Sequence, residues 1–135
     1  DGRFVGFWRA EDRKLWKVPA AGGPPIEIGV TDQPFRTMWG ADDEILFQGD
    51  GGQIWSLDAF GGKPREVPIR DRSEDEWIAL RDRAPGRRDL LVVSYRPGSA
   101  EGWLEILSRE TGRRRRLPRW HAGRRCRCRS VWLPT

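Results

Sequence analysis

The chain has 135 residues, 37% hydrophobic and 33% charged, with 16 Gly, 10 Pro and 8 Trp, a size that fits one domain at the usual ~100 to 200 residues each. A single His, a single Tyr, a single Met and two Cys exclude a multi-His metal centre and leave few general bases. The net charge of +5 hides an asymmetry: residues 1 to 80 carry ten Lys/Arg against fifteen Asp/Glu, a net of −5, whereas residues 81 to 135 carry fifteen Arg against five acids, a net of +10.

In chain order, the first predicted strand is Arg3 to Trp8. It leads into Leu15-Trp16-Lys17-Val18-Pro19-Ala20-Ala21-Gly22-Gly23-Pro24-Pro25-Ile26-Glu27-Ile28, which reads as strand, Gly-Gly turn and strand. Four short strands follow, Phe35 to Trp39, Glu44 to Gln48, Gln53 to Leu57 and Pro64 to Val67. Their joints are turns rich in Gly and Asp, such as Ala41-Asp42-Asp43 and Gly49-Asp50-Gly51-Gly52. Trp77, 38 residues beyond Trp39, is expected to open the equivalent strand of a further unit. Asp89 to Tyr95, Leu104 to Leu107, the Arg113 to Leu117 segment and Cys128 to Leu133 supply the remaining strands. No helix is needed, and no run approaches the ~20 apolar residues of a membrane-spanning helix, so no membrane segment is expected.

Self-similarity organises these elements. Leu15 to Ile28 aligns with Ile54 to Val67 at a constant offset of 39, matching Trp16 with Trp55, Gly22-Gly23 with Gly61-Gly62, Pro25 with Pro64 and Glu27 with Glu66. Leu104 to Leu117 is a weaker third copy at a spacing stretched to about 50. A period of ~40 residues with four strands per unit is what a β-propeller blade requires. The expected fold is therefore all-β, about three four-stranded blades of a β-propeller: part of a blade over 1–30, blades over 34–69 and 75–118, and the start of another over 126–135. Closure takes about four to eight blades, so the chain is expected to be a fragment of a larger propeller or to assemble with copies of itself. Alternation places Trp16, Val18, Trp39, Ile45, Phe47, Trp55, Leu57, Leu91, Val93, Ile106 and Leu107 in the expected core.

The strings Leu15-Trp16-Lys17-Val18-Pro19-Ala20-Ala21-Gly22-Gly23-Pro24-Pro25 and Trp39-Gly40-Ala41-Asp42-Asp43-Glu44-Ile45-Leu46-Phe47 resemble the TolB-type, WD-repeat-like β-propeller, most closely the propellers C-terminal to bacterial serine/threonine protein kinases. Residues 1 to about 70 carry the resemblance well, and Pro97 to Arg113 resembles the following blade. Two segments depart from the pattern: Ala84-Pro85-Gly86-Arg87-Arg88-Asp89 is longer than the usual Asp-Gly turn, and residues 113 to 129 are unusually rich in Arg. What the resemblance implies is a non-catalytic platform for a protein partner or small ligand, acting as the sensor region of such a kinase, and an extracytoplasmic location.

Candidate sites are few. The Arg tract, Arg113, Arg114, Arg115 and Arg116 continued by Arg124 and Arg125, is the one candidate anion-binding site. Trp120 and Trp132 interleave with it. Successive guanidinia on a strand point to opposite faces, so nucleic-acid or anionic-surface binding through this tract is expected to be weak and sensitive to salt. Cys126, Cys128 and His121 fall short of the four ligands of structural zinc. Asp42-Asp43-Glu44 and Glu74-Asp75-Glu76 offer oxygen ligands of the kind calcium takes, but the loop Gln48-Gly49-Asp50-Gly51-Gly52 lacks the alternating pattern of a calcium loop, and Asp42-Asp43 sits where a blade turn holds Asp-Gly, so turn chemistry is the expected role. Ser99, in Gly98-Ser99-Ala100-Glu101-Gly102, is not in a nucleophile elbow, and kinase motifs are missing. No catalysis, metal or cofactor is expected of this chain; a competing reading makes it the propeller part of a peptidase or hydrolase.

Overall fold

The structure, a computed structural model, describes residues 2–32, 34–40, 42–84 and 88–121, with side chains described as far as residue 118. Eleven strands and no helix make up the described residues. Strands β1 (Phe4–Arg9), β2 (Lys14–Pro19) and β3 (Ile26–Val30) form a three-stranded sheet in that order. The second sheet runs β4 (Arg36–Trp39), β5 (Glu44–Gln48), β6 (Ile54–Asp58), β7 (Arg65–Glu66). The third runs β8 (Trp77–Arg83), β9 (Leu90–Tyr95), β10 (Gly102–Leu107), β11 (Arg114–His121). Every neighbouring pair is antiparallel. Each sheet is thus a meander, as in a propeller blade. The sequence-predicted strand Cys128 to Leu133 lies outside the described residues.

The turns form where the chain can turn. Gly22, Gly23, Gly61 and Gly62 sit at φ values of 93°, 139°, 110° and 123°, a region that glycine enters without a Cβ clash. They let the third strand of a blade reverse into the fourth. Cross-strand register carries the repeat through all three sheets: Trp16 faces Glu27, Trp55 faces Glu66, and Glu105 faces Arg116. The third copy therefore keeps the pairing geometry while replacing a Trp–Glu pair by a Glu–Arg pair.

Apolar side chains collect between sheets, in two layers. Leu15, Ile28, Ile45, Phe47, Leu57 and Ala59 pack between the first and second blades, with Trp8, Trp39 and Trp55 against them. Leu46, Ile54, Val67, Ile78, Leu80, Leu90, Val92 and Leu107 pack between the second and third, with Met38 and Ile69. β5 shows why: Ile45 and Phe47 point one way and Leu46 the other, because strand side chains alternate, and this middle blade is covered on both sides. Burial of this kind stabilises by about 25 cal/mol per Å² of apolar surface.

Three expectations need correction. Leu91 and Ile106 are half-buried, whereas their neighbours Leu90, Val92 and Leu107 are fully buried; alternation finds two faces but does not say which one meets a blade. Trp16, Val18, Trp39 and Trp55 are likewise half-buried. Trp39 and Trp77 are not equivalent. Trp39 ends β4 opposite Ile45, next to the turn, whereas Trp77 opens β8 opposite Tyr95 at the far end of its strand. There Phe35 meets it edge to face, at a ring separation of 6.3 Å.

Candidate functional site

Antiparallel meanders bring alternate turns of a blade to one rim. The β4–β5 and β6–β7 turns of the second blade therefore share an end with the β8–β9 and β10–β11 turns of the third. A groove of about 360 Å³ opens there, lined by Asp42, Glu44, Ser56, Asp58, Gly61, Gly62, Lys63, Arg65, Arg88 and Arg109. Its floor is a bidentate ion pair across the blades, with Arg109 donating to both carboxylate oxygens of Glu44, one at 2.6 Å. Side-chain exposures of 22% for Arg109 and 16% for Glu44 put the pair out of most solvent screening. Arg109 Nε is buried and has no hydrogen-bond partner among the described residues. Nearer the surface, Arg88 pairs with Asp42.

The opposite wall is the glycine turn. Asp58 Oδ1 accepts a hydrogen bond from the Phe60 amide at 2.8 Å, and Gly61 and Gly62 expose backbone where a side chain would fill the space. Lys63 and Arg65 follow directly. Neither makes an ion pair with another described residue, so two cations border the groove while its Arg109 and Arg88 are already neutralised. Such a lining suits a ligand with carboxylate or phosphate groups, held by charge-assisted hydrogen bonds.

The Arg tract is distributed differently. Arg114 is 10% exposed and pairs with Glu76 at 2.8 Å and Glu105 at 3.2 Å. Hydrogen bonding to Glu76 is the main cause that raises its pKa above the ordinary arginine value, with Glu105 adding to it. Arg116 reaches Glu105 at 3.3 Å and lies over the Trp103 ring at 4.4 Å. Arg113, Arg115 and Arg116 are exposed. The structure thus splits the tract: the Arg114 guanidinium is buried against internal carboxylates, Arg116 reaches Glu105 from the surface, and Arg113 and Arg115 turn to solvent. Arg124 and Arg125, with Cys126, Cys128 and Trp132, lie outside the described residues, as do the side chains of Trp120 and His121. Glu74-Asp75-Glu76 is committed to protein partners at two positions: Asp75 pairs with Arg96 and Glu76 with Arg114.

The sequence reading did not single out the groove. Its charged residues come from four turns that are far apart in the chain, between 42 and 109. The repeat held the missing signal, since turns at equivalent positions in successive blades must share a rim.

No family model matches the chain, and no curated protein matches it. Among solved structures, an oligogalacturonate lyase in complex with manganese is similar at a TM-score of 0.62 and 17% identity, covering 87% of this chain and 42% of that one. That neighbour is a β-propeller of TolB-like type. At this identity the likeness concerns fold. Three antiparallel sheets stacked through two apolar layers, together with this neighbour, define the chain as blades of a β-propeller, spanning less than half the length of the propeller it matches. Among the described residues no group of three or more His, Cys, Asp or Glu is placed to hold a metal ion.

Proposed function

We propose that the chain is a non-catalytic propeller segment that binds an anionic ligand or an acidic protein partner at the groove between its second and third blades. The observation that carries this reading is the combination of an ion-paired floor, Arg109 with Glu44, with Lys63 and Arg65 at the rim, which make no ion pair among the described residues. Fixed donors of this kind bind without reorganising. Catalysis fits the lining poorly, because arginine does not give up its proton and Glu44 and Asp42 already serve arginines. In the setting that the sequence resemblance implies, C-terminal to a bacterial serine/threonine kinase, such a groove would act as the ligand-sensing surface. Fold analogy contributes only an association to that step.

Two probes test the proposal, a short poly-glutamate peptide and trigalacturonate, the latter chosen for the substrate class in the neighbour's name. Binding of either by calorimetry at low salt, weakened at least about tenfold in the Lys63→Ala/Arg65→Ala double variant, supports it. Indifference of the double variant overturns the site. Cleavage of trigalacturonate by the purified chain overturns the non-catalytic reading.

A further inference from the structure

The rim that holds the groove carries a second crevice, between the first and second blades, and the repeat makes it the groove's counterpart. Lys17 faces Ile26 across β2 and β3 as Ser56 faces Arg65 across β6 and β7, the second pair lying 39 residues further on. Cross-strand partners share a side of the sheet, and Lys17 reaches Ala59 of the second blade, so Ile26 turns toward that blade as well. Ser56 and Arg65 line the groove, which is open and charged. In the first crevice Lys17 occupies the space and Ile26 gives it an apolar lip. Ile26 is 44% exposed, and Phe60, at the head of the glycine turn, is 79% exposed. Both stand between the first and second blades.

Phe60 is held in place although it is exposed. Its ring lies over the Lys17 ammonium at 4.4 Å, with the Phe4 ring 4.9 Å from the same ammonium. The turn itself is seated on the first blade, since a Cβ at Gly61 would come within 3.2 Å of the Ile28 carbonyl oxygen. A ring fixed by a cation loses little freedom when a partner packs on it. Lys17 is 4% exposed, donates to the Ala59 carbonyl at 2.6 Å and pairs with no carboxylate among the described residues. Its uncompensated charge favours an acidic visitor over a basic one. The two crevices are one sheet spacing apart, ~10 Å, or about three residues of extended chain at ~3.3 Å each. We propose that the partner is an extended acidic segment of a protein, with an aromatic side chain packed on Phe60 and Ile26 and, about three residues away, carboxylates on Lys63 and Arg65. The inference rests on the groove reading and narrows its ligand to a peptide of fixed spacing.

Calorimetry at low salt with matched peptides tests this: Trp-Gly-Gly-Glu-Glu-Glu with blocked ends, its reversed sequence, and the same two peptides with Gly in place of Trp. In one chain direction the Trp peptide is expected to bind at least about tenfold tighter than its Gly control, and moving the Trp next to the first Glu should remove that gain. Phe60→Ala should abolish the gain. Ile26→Gln, which leaves the cover of Lys17 in place, should reduce it and serves if Phe60→Ala does not fold. No gain from Trp in either direction, or a gain undiminished in both variants, overturns the proposal. Glutamate binding that falls in Lys63→Ala/Arg65→Ala, with no gain from Trp, leaves the groove reading standing and overturns this one. Binding of every peptide that is indifferent to the double variant overturns the groove reading and the two-part site with it.

Discussion

Glu105 is 3% exposed and charged, a combination that survives only with compensation. Arg114 and Arg116 provide it, and Trp103 backs the Arg116 guanidinium. Replacing Glu105 by Ala leaves Arg114 with Glu76 and the Asp71 carbonyl and is expected to cost about 3 kcal/mol, the lower end for breaking a buried pair, read as a fall in urea midpoint at constant m-value. Asp12 offers a pH-dependent counterpart on the surface. Its hydrogen bond from Arg9 is the largest cause that holds its carboxyl below the usual range, assisted by the neighbouring Trp16 indole and opposed by desolvation. Because the folded-state pKa is the lower one, the stability linked to Asp12 is present in full above the ordinary carboxylate pKa and is lost as pH falls through the lowered value. Thermal unfolding followed from about pH 5 downward should therefore drop less steeply in Asp12→Asn than in the parent.

At the scale of elements, one side chain does the work of a strand pair. Gln48, 1% exposed, closes β5 and reaches across to β8 of the next blade. Its Oε1 accepts from the Leu80 amide at 3.0 Å, and its Nε2 donates to the Ile78 carbonyl and to the Gly52 carbonyl at 3.1 Å. The apolar layer between these two blades does not set register; this amide does, deep in the layer, with the Arg109–Glu44 pair at the rim. Gln48→Leu keeps the volume but strands two buried backbone groups of β8, at about 1 to 3 kcal/mol each. The expected outcome is a loss of about 3 kcal/mol in denaturant unfolding, with amide exchange at Leu80 accelerating more than at Val92. Lys17 makes a similar crossing between the first two blades. Its ammonium is buried beneath Phe4 and Phe60 and donates to the Ala59 carbonyl at 2.6 Å.

For the whole molecule, the +10 carried by residues 81 to 135 overstates the positive surface, since Arg109 and Arg114 are spent on Glu44 and Glu76, which lie outside that segment. Short duplex DNA titrated at about 50 and about 200 mM salt should accordingly bind weakly and lose most of that affinity at the higher salt. Arg113→Ala/Arg115→Ala should weaken it further. Sub-micromolar, sequence-selective binding that withstands the higher salt would instead establish the tract as a nucleic-acid site.

Turn positions and the repeat were legible in the residues, because glycine pairs and the Trp-to-Glu spacing are local signals that the first two blades share, and alternating apolar positions carry the pattern into the third. Which face of each strand is buried was not. Leu90 and Leu91 are equally apolar, and only the position of the second blade decides that Leu90 disappears and Leu91 stays half-covered. The same holds for the charges. Arg113 to Arg116 read as one basic run, but strand pairing with β10 turns alternate members toward Glu105 and Glu76, a pairing that joins residues up to 38 positions apart. The groove depends wholly on tertiary structure, since Asp42, Lys63, Arg88 and Arg109 meet only when two blades stack and align their turns on one rim.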